Sequence, residues 1–480
     1  MPTYGLSLLT SQDVQQIHDT SIRILEKIGI KIPSQEALDL LEGQNGVRID
    51  HARQIVTFQE SAVMAAMEKA PRKFTIYGRD FTRTNAYGES GFICQAIPGE
   101  TQWVDPIMKT RRPGTVEDFK RSVIVADALE NIDIVGAMIQ PAEIPTGVCD
   151  VYLYAELFKR TRKPVRSWVQ SRTSARYVLE ILYTIAGGQD ELRAHPLVDF
   201  GFEPVSPLLL PAEPLEIALD FARAGLPITI GPMPQAMGTG PVTLAGNVAL
   251  GNAEALATAV VIQTAAPGTP LIYFNGPHIM DPRTMNLVFS SPEQCLMATM
   301  VAELGAYYGL PVGVNVGMTD AKIPDAQAGQ EKIASLLAGA LAGANIVGGM
   351  GIAGCDQGFS LPQLIIDDEM IGFVRRMAQG VHLEAEALAY EVIQRVGIGG
   401  TFLMDDHTLD HWKSELWIPK LSDRNNWDLW IENGGSTMLE RAIARQEQIL
   451  QEHALEWLEE DIQRELDRIV AAAGEEMVPA

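Results

Sequence analysis

Short apolar runs that return at regular intervals, each followed by a segment long enough for a helix, constrain this chain more than any other feature. The runs are IDIVGAMI (132–139), PVRSWVQ (164–170), LVDFGFEPV (197–205), LPITIGPM (226–233), PLIYFNG (270–276), LPVGVNVG (310–317), ANIVGGMG (344–351) and GGTFLMDD (399–406). Between them lie DVYLYAELFKRT, PLEIALDFARAG, QCLMATMVAELGAYYG and similar segments, whose apolar residues recur at helical spacing. Parallel strands need crossovers of this length. Eight strand–helix alternations predict an α/β chain folded as a closed (β/α)8 TIM barrel over residues 116–406.

The flanks read differently. Residues 1–115 form an N-terminal α+β appendage: TSQDVQQIHDTSIRILEKIGI is a capped amphipathic helix, and VRID and IVTF pair as a hairpin around HARQ. Residues 407–480 form a helical extension packed on the barrel or on a partner. Within it, Leu439, Ile443, Leu450, Leu458, Ile462, Leu466 and Ile469 line one face, which predicts a single long helix over 436–470 and fits a homo-oligomer. Four tryptophans, Trp412, Trp417, Trp427 and Trp430, are expected to anchor the segment that leaves the barrel; clustered tryptophans also build docking surfaces.

Composition excludes several functions. With 61 acidic against 37 basic residues the net charge is -24, which repels nucleic acid and anionic membranes. The four cysteines are far apart and lack C-x-x-C spacing, as expected of reduced thiols in a cytoplasmic protein. The start of the chain lacks a basic region followed by an apolar run, and five glycines break the apolar stretch 336–353, so neither export nor a membrane span is expected. No G-x-G-x-x-G opening a helix, Walker loop or G-x-S-x-G elbow is present, which removes the usual support for dinucleotide, nucleoside-triphosphate and serine-hydrolase readings.

In such a barrel the chemistry lies at the C-terminal ends of the strands. Those ends carry Phe202 and Glu203, Asn275 and His278, Asn315 and Asp320, Asp356 and Gln357, and Asp405, Asp406 and His407. The set is rich in amides and carboxylates and poor in phosphate-binding cations. Asp405, Asp406, His407 and His411 allow an alternative reading, a metal-dependent hydrolase or lyase. Thr408 and Leu409, however, fill the place where a zinc-peptidase H-E-x-x-H has its glutamate, and no tightly bound metal is expected.

Three motifs occur in order: GTGPVTLAG (238–246), TDAKIPDAQAG (319–329) and HTLDHWKSELWIPKLSDR (407–424). Together they resemble the trimethylamine methyltransferase family, the MttB-like proteins that pass a methyl group to a corrinoid protein. The resemblance implies a (β/α)8 fold, a small amine substrate and a corrinoid (cobalamin) carried by a partner protein. Its founding members carry pyrrolysine in a loop after a barrel strand, whereas the matching stretch here, GIAGCDQGFS (351–360), holds only standard residues. That departure resembles the non-pyrrolysine branch, whose substrates are quaternary amines such as glycine betaine. A betaine-binding module without turnover is the remaining alternative.

A quaternary amine fits the chemistry, because its amine leaves neutral and needs no general acid. Its onium is recognised by aromatic faces beside an acid, at about 0.5–2 kcal/mol per ring. Glu203 is the expected acid. A single acid is expected, since a carboxylate cluster would hold the substrate cation more tightly than the charge-dispersed transition state. Phe202, Tyr273 or Phe274, and Phe359 are candidate cage faces, with Tyr87 and Phe92 reaching over from the appendage. Alternation allows only one of Tyr273 and Phe274 to face inward. A betaine carboxylate needs donors, for which His278, Gln357 and the backbone around Asp356 are placed, with Asn275 and Asn315 nearby. Asp320, Lys322, Asp325, Gln327 and His407 are secondary candidates.

Overall fold

The computed structural model describes residues 5–456 and 458–478; the outermost ends of both expected appendages, 1–4 and 479–480, lie outside them. Eight parallel strands form the barrel: β1 (Ile93–Ala96), β2 (Val135–Gly136), β3 (Val165–Arg166), β4 (Phe200–Phe202), β5 (Ile228–Ile230), β6 (Leu271–Phe274), β7 (Val312–Val314) and β8 (Ile346–Met350). Strands β4 to β8 pair in order, β8 pairs with β1 through Ile346–Ile93 and Val347–Cys94, and β2 pairs with β3. A bridge between Gln95 and Ile134 joins β1 to β2. At the β3–β4 seam a side-chain pair spans the gap, Arg166 Nη1 to Asp199 Oδ2 at 3.3 Å. The barrel helices follow in turn: α1 (Val116–Ala128), α2 (Thr146–Arg160), α3 (Arg172–Ala186), α4 (Ala212–Arg223), α5 (Leu244–Ala265), α6 (Pro292–Tyr308), α7 (Ala326–Ala342) and α8 (Leu361–Ala378).

Seven of the expected runs hold strands β2 to β8. The eighth does not: residues 399–405 form a loop in which Leu403 is 81% and Met404 89% exposed, and Asp406 begins a helix. The missing strand is β1, Ile93–Ala96, in the stretch read as appendage, so the barrel begins before residue 116. An apolar run becomes a barrel strand only if neighbours bury both its faces. Ile-Cys-Gln-Ala is buried throughout despite its glutamine, whereas Phe-Leu-Met has nothing to pair with.

The rest of the N-terminal region covers the barrel from two sides. A capping box on Thr10 starts the helix Ser11–Lys27, which packs along α5 with the helix Glu60–Lys69, and Val47–Asp50 and Ile55–Phe58 pair antiparallel as expected. Helix α5 is apolar on all faces and long enough to cross a membrane; here it is almost wholly buried by these neighbours. A second hairpin, Phe74–Tyr77 with Thr84–Tyr87, closes the N-terminal end, setting Ile76 and Tyr87 against Ile93, Ile134, Ile272 and Ile346.

The tail is two helices, Met438–Glu452 and Glu460–Met477, rather than the single one expected. The apolar stripe stays in phase, but the chain turns at His453, whose Nε2 meets Asp127 Oδ2 at 2.8 Å. The first helix packs on α1 and α8 and the second on α2 and α3, so the tail covers its own barrel. Of the four tryptophans, Trp417 anchors: it abuts Gly372 and meets Phe373 edge-on at 5.7 Å. Trp430 donates to Ser436 O at 3.1 Å, while Trp412 and Trp427 are exposed and anchor nothing.

Candidate active site at the C-terminal end of the barrel

A cavity of about 310 Å³ opens at the C-terminal ends of the strands, a size suited to a small molecule. Its room comes from glycines at inward positions. At Gly313 a Cβ would fall 2.2 Å from the Phe274 ring, and at Gly231 3.6 Å from it, so Phe274 lies between β5 and β7 inside the barrel. A Cβ on Gly348 would meet nothing, because that residue borders open space. Beneath Phe274 sit the apolar plug residues Ile272 and Ile346.

Strand parity then assigns the other side chains. Phe274 faces the cavity, so Tyr273 turns outward, where its hydroxyl donates to Asn252 Oδ1 of α5 at 2.8 Å. On β4, Gly201 and Glu203 face the cavity. Phe200 and Phe202 therefore turn to the helix layer, where Phe200 packs on Phe221 at 4.8 Å; Phe202 borders the cavity with its backbone, its carbonyl accepting from Gly231 N at 2.8 Å. The aromatic walls are Phe274, Trp168 two residues beyond Arg166 on β3, and Phe289 in the loop after β6, with Met233 and Met318 between them.

Three carboxyl groups reach the cavity where one was expected. Glu203 is open to it yet walled by protein, and burial pushes its carboxyl up to about 7; Arg166 works against the shift and Asp356 adds to it. Glu100, in the loop after β1, lies against Asp356 from the loop after β8. Burial, the hydrogen bond to Asp356 and its negative charge hold the Glu100 carboxyl well above the usual range, and Glu100 Oε1 has no partner. Glu100 is thereby held toward its neutral form, so the cluster carries less negative charge than its three carboxyls imply. Asp356 ends a run of left-handed residues, Gly354, Cys355 and Asp356 with φ of 67°, 57° and 59°. The bonds Gly354 N to Ala321 O at 2.7 Å and Cys355 N to Thr319 O at 3.1 Å hold that run in place.

Several expected site residues lie elsewhere. His278 is fully buried, and burial pushes its imidazole down to about 4. Its Nε2 lies 3.1 Å from Asn315 Nδ2 and its ring 5.0 Å from Phe289, so it supports two cavity residues without reaching the cavity. Asn275 donates to Val248 O at 3.2 Å within the helix layer. Tyr87 lies below the floor, stacked on Phe74 at 4.8 Å. Phe92 is outside the barrel under the Arg375 guanidinium, 5.5 Å away, and Phe359 packs on Trp103 at 5.7 Å. Gln357 is exposed beside Arg111. Each departure has one cause, that parity and loop direction are set by pairing partners far along the chain.

The TDAKIPDAQAG motif braces this site. Asp320 accepts from Phe289 N at 3.0 Å and Ser290 N at 3.2 Å, Lys322 donates to Asp320 O at 2.7 Å, Asp325 caps α7, and Gln327 bonds Glu331 at 2.7 Å. Asp405 caps the helix Asp406–Glu415 and binds Arg395 at 2.8 Å, while the His407 and His411 rings meet at 4.4 Å, tilted by 41°. No three potential metal ligands converge among the described residues, and of the four candidates Asp405, Asp406, His407 and His411 the contacts above are those of local structure.

The sequence reading missed Gln95, Glu100, Arg166, Trp168 and Phe289, all of which line the cavity. For Arg166 and Trp168 the signal was present: in PVRSWVQ they share one face, and both point inward. Gln95 and Glu100 were hidden because β1 went unrecognised.

The chain matches the family model "Trimethylamine methyltransferase (MTTB)" over residues 2–478. It is 32% identical over 475 residues to trimethylamine methyltransferase MttB of Desulfitobacterium hafniense (strain DSM 10664 / DCB-2), covering 98% of this chain and 95% of the relative. To the glycine betaine methyltransferase of Desulfitobacterium hafniense (strain Y51) it is 31% identical over 482 residues, covering 99% and 98%. The fold is similar to that of the Methanosarcina barkeri monomethylamine methyltransferase MtmB, with a TM-score of 0.50, 13% identity, and coverage of 95% and 97%. Barrel, mouth cavity and a sequence match along almost the whole length agree, and the chain belongs to the trimethylamine methyltransferase family.

Proposed function

We propose that this protein transfers a methyl group from a quaternary amine to the Co(I) corrinoid of a partner protein in the cytoplasm. The observation that carries the reading is the cavity itself, in which aromatic faces of Trp168, Phe274 and Phe289 surround space beside Glu203. Rings hold an onium through their faces and the carboxylate balances its charge. The cavity is too small for a corrin macrocycle, so the corrinoid must meet the substrate from outside the mouth. When bound there, it supplies the nucleophile for the methyl carbon. The chain's own residues orient the onium, exclude water and disperse charge. No general acid is required, since the departing amine is neutral. Free thiols at all four cysteines suit a reducing compartment.

Mixing the protein with a quaternary amine and reduced cobalamin is expected to consume the Co(I) absorption and yield the tertiary amine. Failure across a broad panel with a cognate corrinoid protein supplied would overturn the reading.

The other expected partner is a second copy of this chain. The helices Ala385–Leu388, Tyr390–Val396, Asp406–Glu415 and Trp427–Glu432 contain no buried residue; they expose Tyr390, Leu409 and Trp427, and the loop between the second and third exposes Ile398, Leu403 and Met404. Soluble monomers rarely expose contiguous apolar patches beyond a few hundred Å², while permanent interfaces bury about 2,000 Å² or more. Helix α8 starts at the mouth and runs away from it, so this segment begins at the opposite end from the cavity. Sedimentation velocity at micromolar concentration is expected to show a dimer or larger species, and Leu403→Glu with Met404→Glu a monomer. A monomeric parent protein would refute this pairing.

A further inference from the structure

Helix α5 buries an acid that methyl transfer leaves unused. Glu254 is fully buried, and no cation reaches it among the described residues; burial pushes its carboxyl up to about 7, against the two hydrogen bonds it accepts. Ser206 Oγ donates to one of its oxygens at 2.7 Å and Leu208 N to the other at 2.7 Å. Burying an acid without a countercharge costs stability, which points to a task in what it holds. Both partners lie in the loop that leaves β4, and that loop begins at Glu203. The last ladder pair of β4 is Phe202–Ile230, so Glu203 already lies beyond the sheet. Val205 and Leu209 then exchange backbone bonds at 2.8 and 3.1 Å, closing residues 205–209 into an arch, and Leu208 within it is left-handed, with φ of 58°. A residue with a β-carbon keeps that conformation only where its surroundings impose it. Here Glu254 takes the Leu208 N–H, while Lys31 N donates to Leu208 O at 2.9 Å and Lys31 O accepts from Leu210 N at 2.9 Å. The arch is thereby tied both to α5 and to the appendage strand Ile30–Lys31.

We infer that Glu254 is a positioning residue, which pins this arch and so keeps Glu203 turned into the cavity, facing the onium. The assignment rests on the quaternary-amine reading and adds to it the residue that aims its acid. An ionised acceptor suits the task, because charge-assisted bonds to an N–H and an O–H are short and strong. With the arch released, Glu203 swings toward water, away from Arg166 and from Asp356, which lies against Glu100; Arg166 and Asp356 are the charged groups that act on it in the cavity. Its carboxyl then returns toward the ordinary range, and its hold on a cation weakens.

The test is calorimetric binding, without corrinoid, of a panel of quaternary amines that includes tetramethylammonium, choline and glycine betaine, between about pH 5 and pH 9. The parent protein is expected to bind at least one of them, with an affinity that levels off above about pH 7. For that amine Glu254→Ala should weaken binding about 10-fold at pH 8 and move the levelling-off down by about one pH unit or more, whereas in a Glu203→Gln background it should change affinity by less than about 3-fold. Glu254→Gln, whose amide oxygen still accepts the Leu208 N–H, should recover most of the loss and keep the parent's pH profile, because the titration belongs to Glu203. Should Glu254→Ala fail to fold, Ser206→Ala removes one of the two bonds and should give about a 3- to 5-fold loss that disappears in the Glu203→Gln background. Equal losses in both backgrounds, or a lower melting temperature with the binding profile unmoved, overturn the positioning role. A parent protein that binds no member of the panel, or a Glu203→Gln variant that binds as the parent does, overturns the quaternary-amine reading itself and the assignment with it.

Discussion

At pH 8, Glu203→Gln lowers kcat/KM for the quaternary amine by about 100-fold, because the variant loses the charge that faces the onium in a desolvated cavity, an interaction of about 2–3 kcal/mol. Asp320→Asn costs less than about 5-fold, since the amide oxygen still accepts one of the two N–H groups, Phe289 and Ser290, that the two carboxylate oxygens hold, and neither touches the substrate. Similar losses at both positions would refute the ranking. The pH dependence carries a further signature. Burial raises the Glu203 carboxyl from 4.5 to about 7, so in the empty cavity it is partly protonated at neutral pH. A bound cation favours the ionised form. Affinity should therefore rise with pH up to about 7 and level off above it, and Glu203→Gln should flatten the profile. Stability runs the other way: the folded chain holds a proton the unfolded chain has released, so the group's contribution is complete below 4.5 and lost by about 7. Glu203→Gln should thus melt higher than the parent at pH 8, with little difference at pH 4. A parent that melts as high as the variant at pH 8 would contradict this.

Lys332→Met is expected to cost about 3–5 kcal/mol of folding stability, the usual consequence of stranding one member of a buried ion pair. Lys332 and Asp367 are both fully buried, with Nζ 2.9 Å from Oδ2. Burial drives the lysine's proton affinity down, which its partner opposes. The lysine also donates to Gly317 O at 2.8 Å, while Asp367 accepts from Gly351 N at 2.7 Å and Gln363 Nε2 at 2.8 Å. The pair ties the exit of β7 to that of β8, behind the cavity wall formed by Met318, Gly348 and Gly349. Lys332→Met with Asp367→Leu should recover part of the loss in urea unfolding but not all, because the Gly351 N–H then loses its acceptor. An unchanged midpoint for Lys332→Met would show the pair to be dispensable.

The acidic cluster illustrates how a site departs from its expectation without losing its logic. A single acid was expected on the ground that excess charge would trap the substrate. Three carboxyls converge, yet burial and the neighbouring Asp356 hold Glu100 toward its neutral form, and burial raises Glu203 to about 7. The constraint acts on charge rather than on the number of acidic residues.

Local pattern sufficed for whatever depends on near neighbours. Period-two and period-3.6 apolarity marked seven barrel strands and their helices, because each must bury its own faces wherever it lies. The same alternation placed Glu203 at a strand exit and allowed one of Tyr273 and Phe274 to face inward; closure of the barrel chose Phe274, since only there do Gly231 and Gly313 leave room for a ring. Closure also recruited Ile93–Ala96 and rejected 399–406, brought Glu100 against Asp356, and set Arg166 across from Phe274. These encounters join residues far apart along the chain. They follow from which strand edges remain to be paired once all the others are satisfied, a quantity defined only for the closed ring.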